Sequence, residues 1–85
     1  MRPRSLLARI QFNRHNVRFR DLVRLAEALG FVHARTAGSH RIYIHPIHIN
    51  AELNLQPHGP DAKPYQVKQL LDLVEEYNLL LDKAD

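Results

Sequence analysis

The fold is decided by Arg35-Thr36-Ala37-Gly38-Ser39-His40-Arg41-Ile42-Tyr43-Ile44-His45. Apolar and polar residues alternate from His40 to His45, which is typical of a β-strand. Gly38 favours a tight turn, because glycine adopts a positive φ readily. Since Phe31–Thr36 also has strand character, we predict a hairpin whose turn is Ala37–Ser39.

Two helices and a third strand flank this hairpin in the sequence. Apolar residues at helical spacing predict a helix over Phe19–Leu29, and Gly30 follows it as the expected left-handed cap. A third alternating run, Ala51–Gln56, predicts the last strand. Pro64 begins a second long helix, at a position that suits proline. A shorter helix is expected to start near Ser5, with that serine as its N-cap.

These elements predict an α+β fold in which a three-stranded antiparallel sheet carries two helices on one face, with a short N-terminal helix added. We expect the helix-facing side chains of the sheet to be Ile42, Ile44, Leu53 and Leu55. We expect the opposite face to carry Arg41, Tyr43, His45, Asn54 and Gln56. The predicted organisation is a basic N-terminal extension over residues 1–16, one domain over 17–81 and a frayed tail over 82–85.

Length, composition and charge restrict the class of function. A chain of 85 residues suits one domain, and the absence of cysteine excludes disulfides, a thiolate nucleophile and a cysteine-based zinc site. There is no long apolar run for a membrane span or a signal peptide, so we expect a cytoplasmic protein.

The net charge of +3 conceals +7 over residues 1–45, which hold all nine arginines, and −4 over residues 46–85. The basic half predicts a polyanion partner such as a nucleic acid, and the alternative is a solvated charged face.

His40 is the candidate catalytic residue. It follows the turn directly, and by strand parity it points with Ile42 and Ile44 toward the expected helix side. Partial burial there would suit general acid–base chemistry, and the alternative is a histidine that only packs at the hairpin end.

His45 and His48 have a spacing that could suit a metal ligand pair. No acid adjoins them and no cysteine is available, so we predict neither a metal site nor a cofactor, and expect solvated surface histidines.

Basic side chains near this turn are candidates to hold phosphates. Lys63 would be the N-cap of the second long helix, which leaves backbone N–H groups unpaired beside a cation. The alternative is that Asp61 caps this helix with its side chain. Arg35 and Arg41 flank the turn, and Tyr43 is expected to lie with them on a basic face.

Three segments together carry a family resemblance. They are Phe19–Val23 with Ala28–Phe31, Arg35–Tyr43, and Leu53–Pro57 with Ala62–Val67. Over about residues 17–78, the chain resembles the HicA family of toxins from bacterial type II toxin–antitoxin systems. The resemblance implies a fold like that of double-stranded-RNA-binding domains, in agreement with the element order predicted above.

The resemblance also implies a function. HicA toxins are mRNA interferases, so it implies a metal-independent endoribonuclease that cleaves transcripts until a HicB-type antitoxin covers its site. The functional histidine of the family's Gly-Ser-His motif matches His40, and Gly38 and Ser39 are the turn that presents it. RNA-binding residues would then be Arg35, Arg41, Lys63 and Tyr43. The additional segment Met1–Asn16 and the long loop Gln56–Tyr65 indicate a longer branch of the family.

Other classes of function stay open on the sequence. A non-catalytic RNA-binding or regulatory module on the same fold would bind RNA without cleaving it. A protein-interaction domain would use its helix faces and would show no salt-dependent affinity for RNA. A helix-turn-helix DNA reader fits less well, because three strand-like runs occupy the middle of the chain.

Overall fold

The structure, a computed structural model, describes residues 2–81 of the chain. In chain order the elements are α1 (Pro3–Phe12), α2 (Phe19–Ala28), β1 (Val32–Ala37), β2 (His40–Ile44), β3 (Glu52–Leu55) and α3 (Pro64–Tyr77). This α+β architecture confirms the predicted fold class. Within residues 2–81, no helix has the length and apolar character needed to cross a membrane. The predicted tail over 82–85 lies outside the described residues.

The three strands form one antiparallel sheet in the order β1-β2-β3. The pairing of β1 with β2 steps from His33 opposite Tyr43 to Arg35 opposite Ile42, so that Ala34 is an extra residue on β1. Such a bulge bends a strand and changes which face the following side chains occupy. In β1 it places Arg35 on the face opposite to that of His33.

One hydrophobic core joins all three helices to one face of the sheet. Its members include Leu6 and Ile10 of α1, Leu22 and Leu25 of α2, Leu53 and Leu55 of β3, and Val67 and Leu70 of α3. The N-terminal helix therefore packs into the same core as the rest, while the domain boundary between residues 16 and 17 stays a prediction. The expected N-cap at Ser5 is wrong. Arg2 occupies that position, because Pro3 suits the first helical residue.

The predicted facing of β2 is also wrong. Tyr43 is 2% exposed and belongs to the core, whereas Ile44 is 38% exposed. Directly opposed residues of an antiparallel pair share a face, and Tyr43 lies opposite the fully buried Leu53. The face that packs against the helices thus carries Arg41 and Tyr43 of β2. The other face, which we call the open face, carries His40, Ile42, Ile44, Glu52 and Asn54.

Gly30 and His45 join the end of α2 to the sheet. Gly30 has the positive φ expected of a cap, +103°. The buried His45 ring donates from Nε2 to the Leu29 carbonyl oxygen at 3.1 Å, and its Nδ1 accepts the backbone N–H groups of Ile47 and His48 at 3.2 and 3.3 Å. A Cβ atom on Gly30 would lie 2.6 Å from His45 Nε2. Glycine is therefore required here both for conformation and for space.

Candidate active site

A two-residue turn between β1 and β2 presents His40. Gly38 and Ser39 lie between the paired residues Ala37 and His40. Gly38 has φ +62° and Ser39 has no positive φ, which matches the type II′ turn that suits the twist of a hairpin. A Cβ atom at Gly38 would meet no atom within 4 Å, so conformation and not space favours glycine. The turn thus fixes His40 at the first position of β2.

The ring of His40 lies on the open face and is hydrogen-bonded to Asn54. The distance from His40 Nδ1 to Asn54 Oδ1 is 3.0 Å. A carboxamide oxygen only accepts hydrogen bonds, so Nδ1 carries a proton and the lone pair of the neutral ring is on Nε2. The expectation that His40 points to the helix side and is partly buried is wrong, because its side chain is exposed and lies on the open face.

Asn54 is itself held by α3. Its backbone N–H donates to Gln69 Oε1 at 2.9 Å, and Gln69 Nε2 donates to its carbonyl oxygen at 3.3 Å. The side-chain amide of Gln69 thereby pairs with the free edge of β3 as a neighbouring strand would. This pairing fixes the backbone from which Asn54 reaches His40. Sequence reasoning missed Gln69 altogether, since its role depends on the alignment of α3 with the edge of β3.

A small pocket of about 170 Å³ adjoins His40. Its lining consists of His40, Asn54, Gln56, Tyr65, Gln66 and Gln69. Gln66 is only 1% exposed, and its Nε2 donates to the Gln56 carbonyl oxygen at 2.9 Å. Its Oε1 has no hydrogen-bond partner within residues 2–81. The pocket is therefore rich in residues with neutral hydrogen-bonding groups, and one of these residues, Gln66, has a buried acceptor that is unpaired within residues 2–81.

The residues predicted to bind RNA do not all lie near His40. The guanidinium of Arg41 lies on the helix side, 5.2 Å from the centre of the Phe19 ring, where a cation and an aromatic ring attract each other. Arg35 lies on the open face, and its Nη2 is 3.5 Å from Glu52 Oε1. Tyr43 is part of the core. The two arginines therefore do not bracket His40 on one face, because the bulge at Ala34 and the facing of β2 separate them.

Lys63 occupies the predicted position before α3. It is the N-cap, Pro64 follows as the first helical residue, and no side chain of residues 2–81 makes a capping hydrogen bond. The alternative, in which the Asp61 side chain caps α3, is therefore wrong. Lys63 is exposed, and the next turn of α3 supplies Tyr65 and Gln66 to the pocket beside His40.

The other histidine pair is part of the packing. His45, expected to be solvated, is buried, and both of its ring nitrogens are hydrogen-bonded to the backbone. The His48 ring packs between His45 and Tyr77, with ring centres 5.0 and 5.3 Å away. In the part of the chain that the structure describes, no three histidine or acidic side chains form a group suited to a metal ion.

The fold and the site define a small α+β protein, similar to double-stranded-RNA-binding domains, with a histidine presented on the open face of its sheet. A family model described as the HicA toxin of bacterial toxin–antitoxin systems matches residues 19–75, from the start of α2 into α3. The chain belongs to this HicA toxin family, whose members are paired with an antitoxin. Comparison with curated proteins and with solved structures gave no match.

Proposed function

We propose that this toxin is an mRNA interferase in which His40 is the acid–base residue, and that a HicB-type antitoxin neutralises it. The family supports the class of toxin. The observation that carries the reaction is the hydrogen bond from His40 Nδ1 to Asn54, which leaves the lone pair of the neutral ring on Nε2, on the open face. Cleavage of mRNA would be performed in the cytoplasm.

The proposed reaction uses a nucleophile that RNA already contains. Nε2 of His40 accepts the proton of a 2′-hydroxyl group, whose oxygen attacks the adjacent phosphorus. The bond from phosphorus to the 5′-oxygen breaks, and that oxygen takes a proton from the charged imidazole ring. The products are a 2′,3′-cyclic phosphate and a 5′-hydroxyl end. Acid–base help from one positioned side chain contributes about a hundred- to ten-thousandfold in rate.

In this proposal, two cations hold the phosphates of the RNA. Lys63 adjoins the uncapped first turn of α3, where backbone N–H groups and the helix dipole favour an anion. Arg35 shares the open face with His40, and its exposed ion pair with Glu52 is of a kind worth only about 0–1 kcal/mol, so phosphate can replace it. We leave Arg41 and Tyr43 out of the proposed RNA site, because both are engaged on the helix side.

Replacement of His40 tests the proposal. His40→Ala and His40→Gln should abolish growth arrest and should slow cleavage of a defined mRNA by about a hundredfold or more. The matched control is His15→Ala, which removes an exposed histidine from the segment between α1 and α2. Equal toxicity and equal cleavage by the His40 variants and the parent would contradict the assignment, provided that circular dichroism shows them to be folded.

The second candidate function is a non-catalytic RNA-binding module on the same fold. One observation favours it: within residues 2–81, no carboxylate lines the pocket beside His40, so a second acid–base group of that kind is absent there. Such a module would bind RNA with a salt-dependent affinity and would cleave it at no pH. Incubation of the purified protein with labelled mRNA over a range of pH values separates the two candidates.

A further inference from the structure

We propose that Tyr65 and the pocket beside His40 form a binding site for one unpaired nucleobase of the RNA, and that the base carries an exocyclic amino group. This inference rests on the proposed function only in so far as the ligand is RNA. It adds two residues, Tyr65 and Gln66, that would determine which nucleotide lies next to the scissile phosphate.

The first argument is the exposure of Tyr65. Its side chain lies in the first turn of α3, lines the pocket and is 60% exposed, so the core does not need this ring. Its hydroxyl group is 3.3 Å from Gln66 Nε2 and 3.5 Å from His58 Nε2, and these contacts hold one end of the ring in place. Proteins that bind single-stranded RNA stack its bases on aromatic rings presented in this way.

The second argument is the unpaired acceptor of Gln66. Buried polar atoms almost always have a hydrogen-bond partner, and Gln66 Oε1 is an exception within the described residues. This oxygen is buried, so the Gln66 side chain must turn toward the pocket, where a group that donates a hydrogen bond would remove the deficit. The exocyclic amino groups of cytosine, adenine and guanine are such donors, whereas uracil presents a carbonyl oxygen at the corresponding position.

The third argument is the chemistry of the remaining lining. Asn54, Gln56 and Gln69 are neutral amide residues, and among residues 2–81 no lysine or arginine lines the pocket. Neutral amides suit the edges of bases, while phosphates are bound by cations and backbone N–H groups. The pocket therefore accepts a base, and the phosphates lie toward Lys63. A base must leave its stack to enter, so the RNA is single-stranded at this point.

Binding to RNA that cannot be cleaved tests this site without relying on catalysis. The probes are short single-stranded oligonucleotides with 2′-methoxy groups, and fluorescence anisotropy gives their affinity. Tyr65→Ala should weaken binding by about five- to a hundredfold, the range observed for loss of base stacking. Tyr65→Phe keeps the ring and should bind within about twofold of the parent. The matched control is Phe12→Ala, which removes an almost fully exposed ring that does not line this pocket.

Changes in the probe identify the contact. In a series of probes, an abasic nucleotide replaces each position of the oligonucleotide in turn. One of these probes should bind the parent protein more weakly than the intact oligonucleotide does. The same probe should bind Tyr65→Ala as well as the intact oligonucleotide does. At that position cytosine should bind more tightly than uracil. Equal affinity of the Tyr65→Ala and parent proteins would overturn the base site, and equal affinity for cytosine and uracil would overturn the role of Gln66. Absence of cleavage in a separate assay would contradict the interferase proposal and would leave these binding results standing.

Discussion

Replacement of Gly30 by alanine should destabilise the junction between α2 and the sheet. The new Cβ atom would lie 2.6 Å from His45 Nε2, a distance that real Cβ contacts do not reach. The ring is buried and hydrogen-bonded at both nitrogens, so it cannot move without breaking its 3.1 Å bond to the Leu29 carbonyl oxygen. The backbone at φ +103° is in addition strained for any residue with a side chain.

The expected loss of stability follows from these two contributions. Strain at an unfavourable φ costs about 1–3 kcal/mol, and a buried hydrogen bond left unpaired costs about 1–3 kcal/mol more. Gly59→Ala is the matched control, because Gly59 has φ +65° but a Cβ atom there would meet nothing within 4 Å. The control should lose only about 1–2 kcal/mol, from conformation alone.

Urea denaturation followed by circular dichroism measures the free energy of unfolding of both variants. Thermal denaturation measures their Tm. The additional 1–3 kcal/mol or so expected for Gly30→Ala corresponds to a Tm that is lower by roughly 5–20 °C than that of Gly59→Ala. In a background of His45→Ala, the clash is absent, so Gly30→Ala should add no more than the control does. If the two glycine variants lose the same stability, or if the loss at Gly30 is unchanged without the ring of His45, the reasoning is refuted.

Three further predictions test the site and the facing of the sheet. Asn54→Ala should lower kcat by about ten- to a hundredfold with little change in KM, because His40 loses its orientation. Asn54→Asp keeps the acceptor oxygen and adds a charge that stabilises the imidazolium ion, so its kcat should not fall. Single-turnover kinetics will separate these outcomes, and an unchanged kcat for Asn54→Ala would contradict the positioning role. Lys63→Ala should weaken RNA binding and reduce the salt slope by about 1 with an intact fold, and an unchanged slope in a salt titration would remove the phosphate contact. Tyr43→Ala should lower the free energy of unfolding by about 3–5 kcal/mol, whereas Tyr65→Ala should lower it by about 0.5 kcal/mol or less. Urea denaturation measures both, and similar losses would contradict the burial of Tyr43.

The order of the elements could be predicted because glycine and proline mark their boundaries. Gly30 ends α2 with a positive φ, Gly38 forms the hairpin turn and Pro64 is the first residue of α3. Each of these residues acts through its own backbone, so its effect is local and can be deduced from the sequence. The apolar spacing between them then assigns each segment to a helix or a strand.

The facing of β2 could not be predicted in the same way. Ile42, Tyr43 and Ile44 are consecutive large apolar residues, so either parity buries an apolar side chain. The choice is made by the pairing with β3, which sets Tyr43 opposite Leu53. A shift by one residue moves every side chain to the other face, so an error at this point affects the whole strand. The same error assigned His40 to the helix side in the prediction, whereas His40 lies on the open face.

The hydrogen-bond partners of His40 could not be predicted from the sequence, for a related reason. The turn Gly38-Ser39 and the family resemblance both indicate His40 itself. Its hydrogen-bond partner Asn54 is 14 positions away, and the amide that holds Asn54 comes from Gln69, a further 15 positions along the chain. Neither contact is expressed in any local pattern, because both depend on how α3 lies along the edge of β3.

The nature of the partner of His40 bears on the rate that the site can reach. A carboxamide oxygen fixes the Nδ1–H tautomer, as a carboxylate does, but it has no net charge with which to stabilise the imidazolium ion that forms when Nε2 takes a proton. In the proposed reaction, cations around the phosphate would then have to balance the charge of the transition state, and Lys63 and Arg35 are the proposed candidates. Since the pocket offers His40 no acidic neighbour among residues 2–81, the proposed reaction uses the ring as base and acid in turn. We therefore expect slow turnover, which suffices for a toxin because each cleavage removes a template for many rounds of translation.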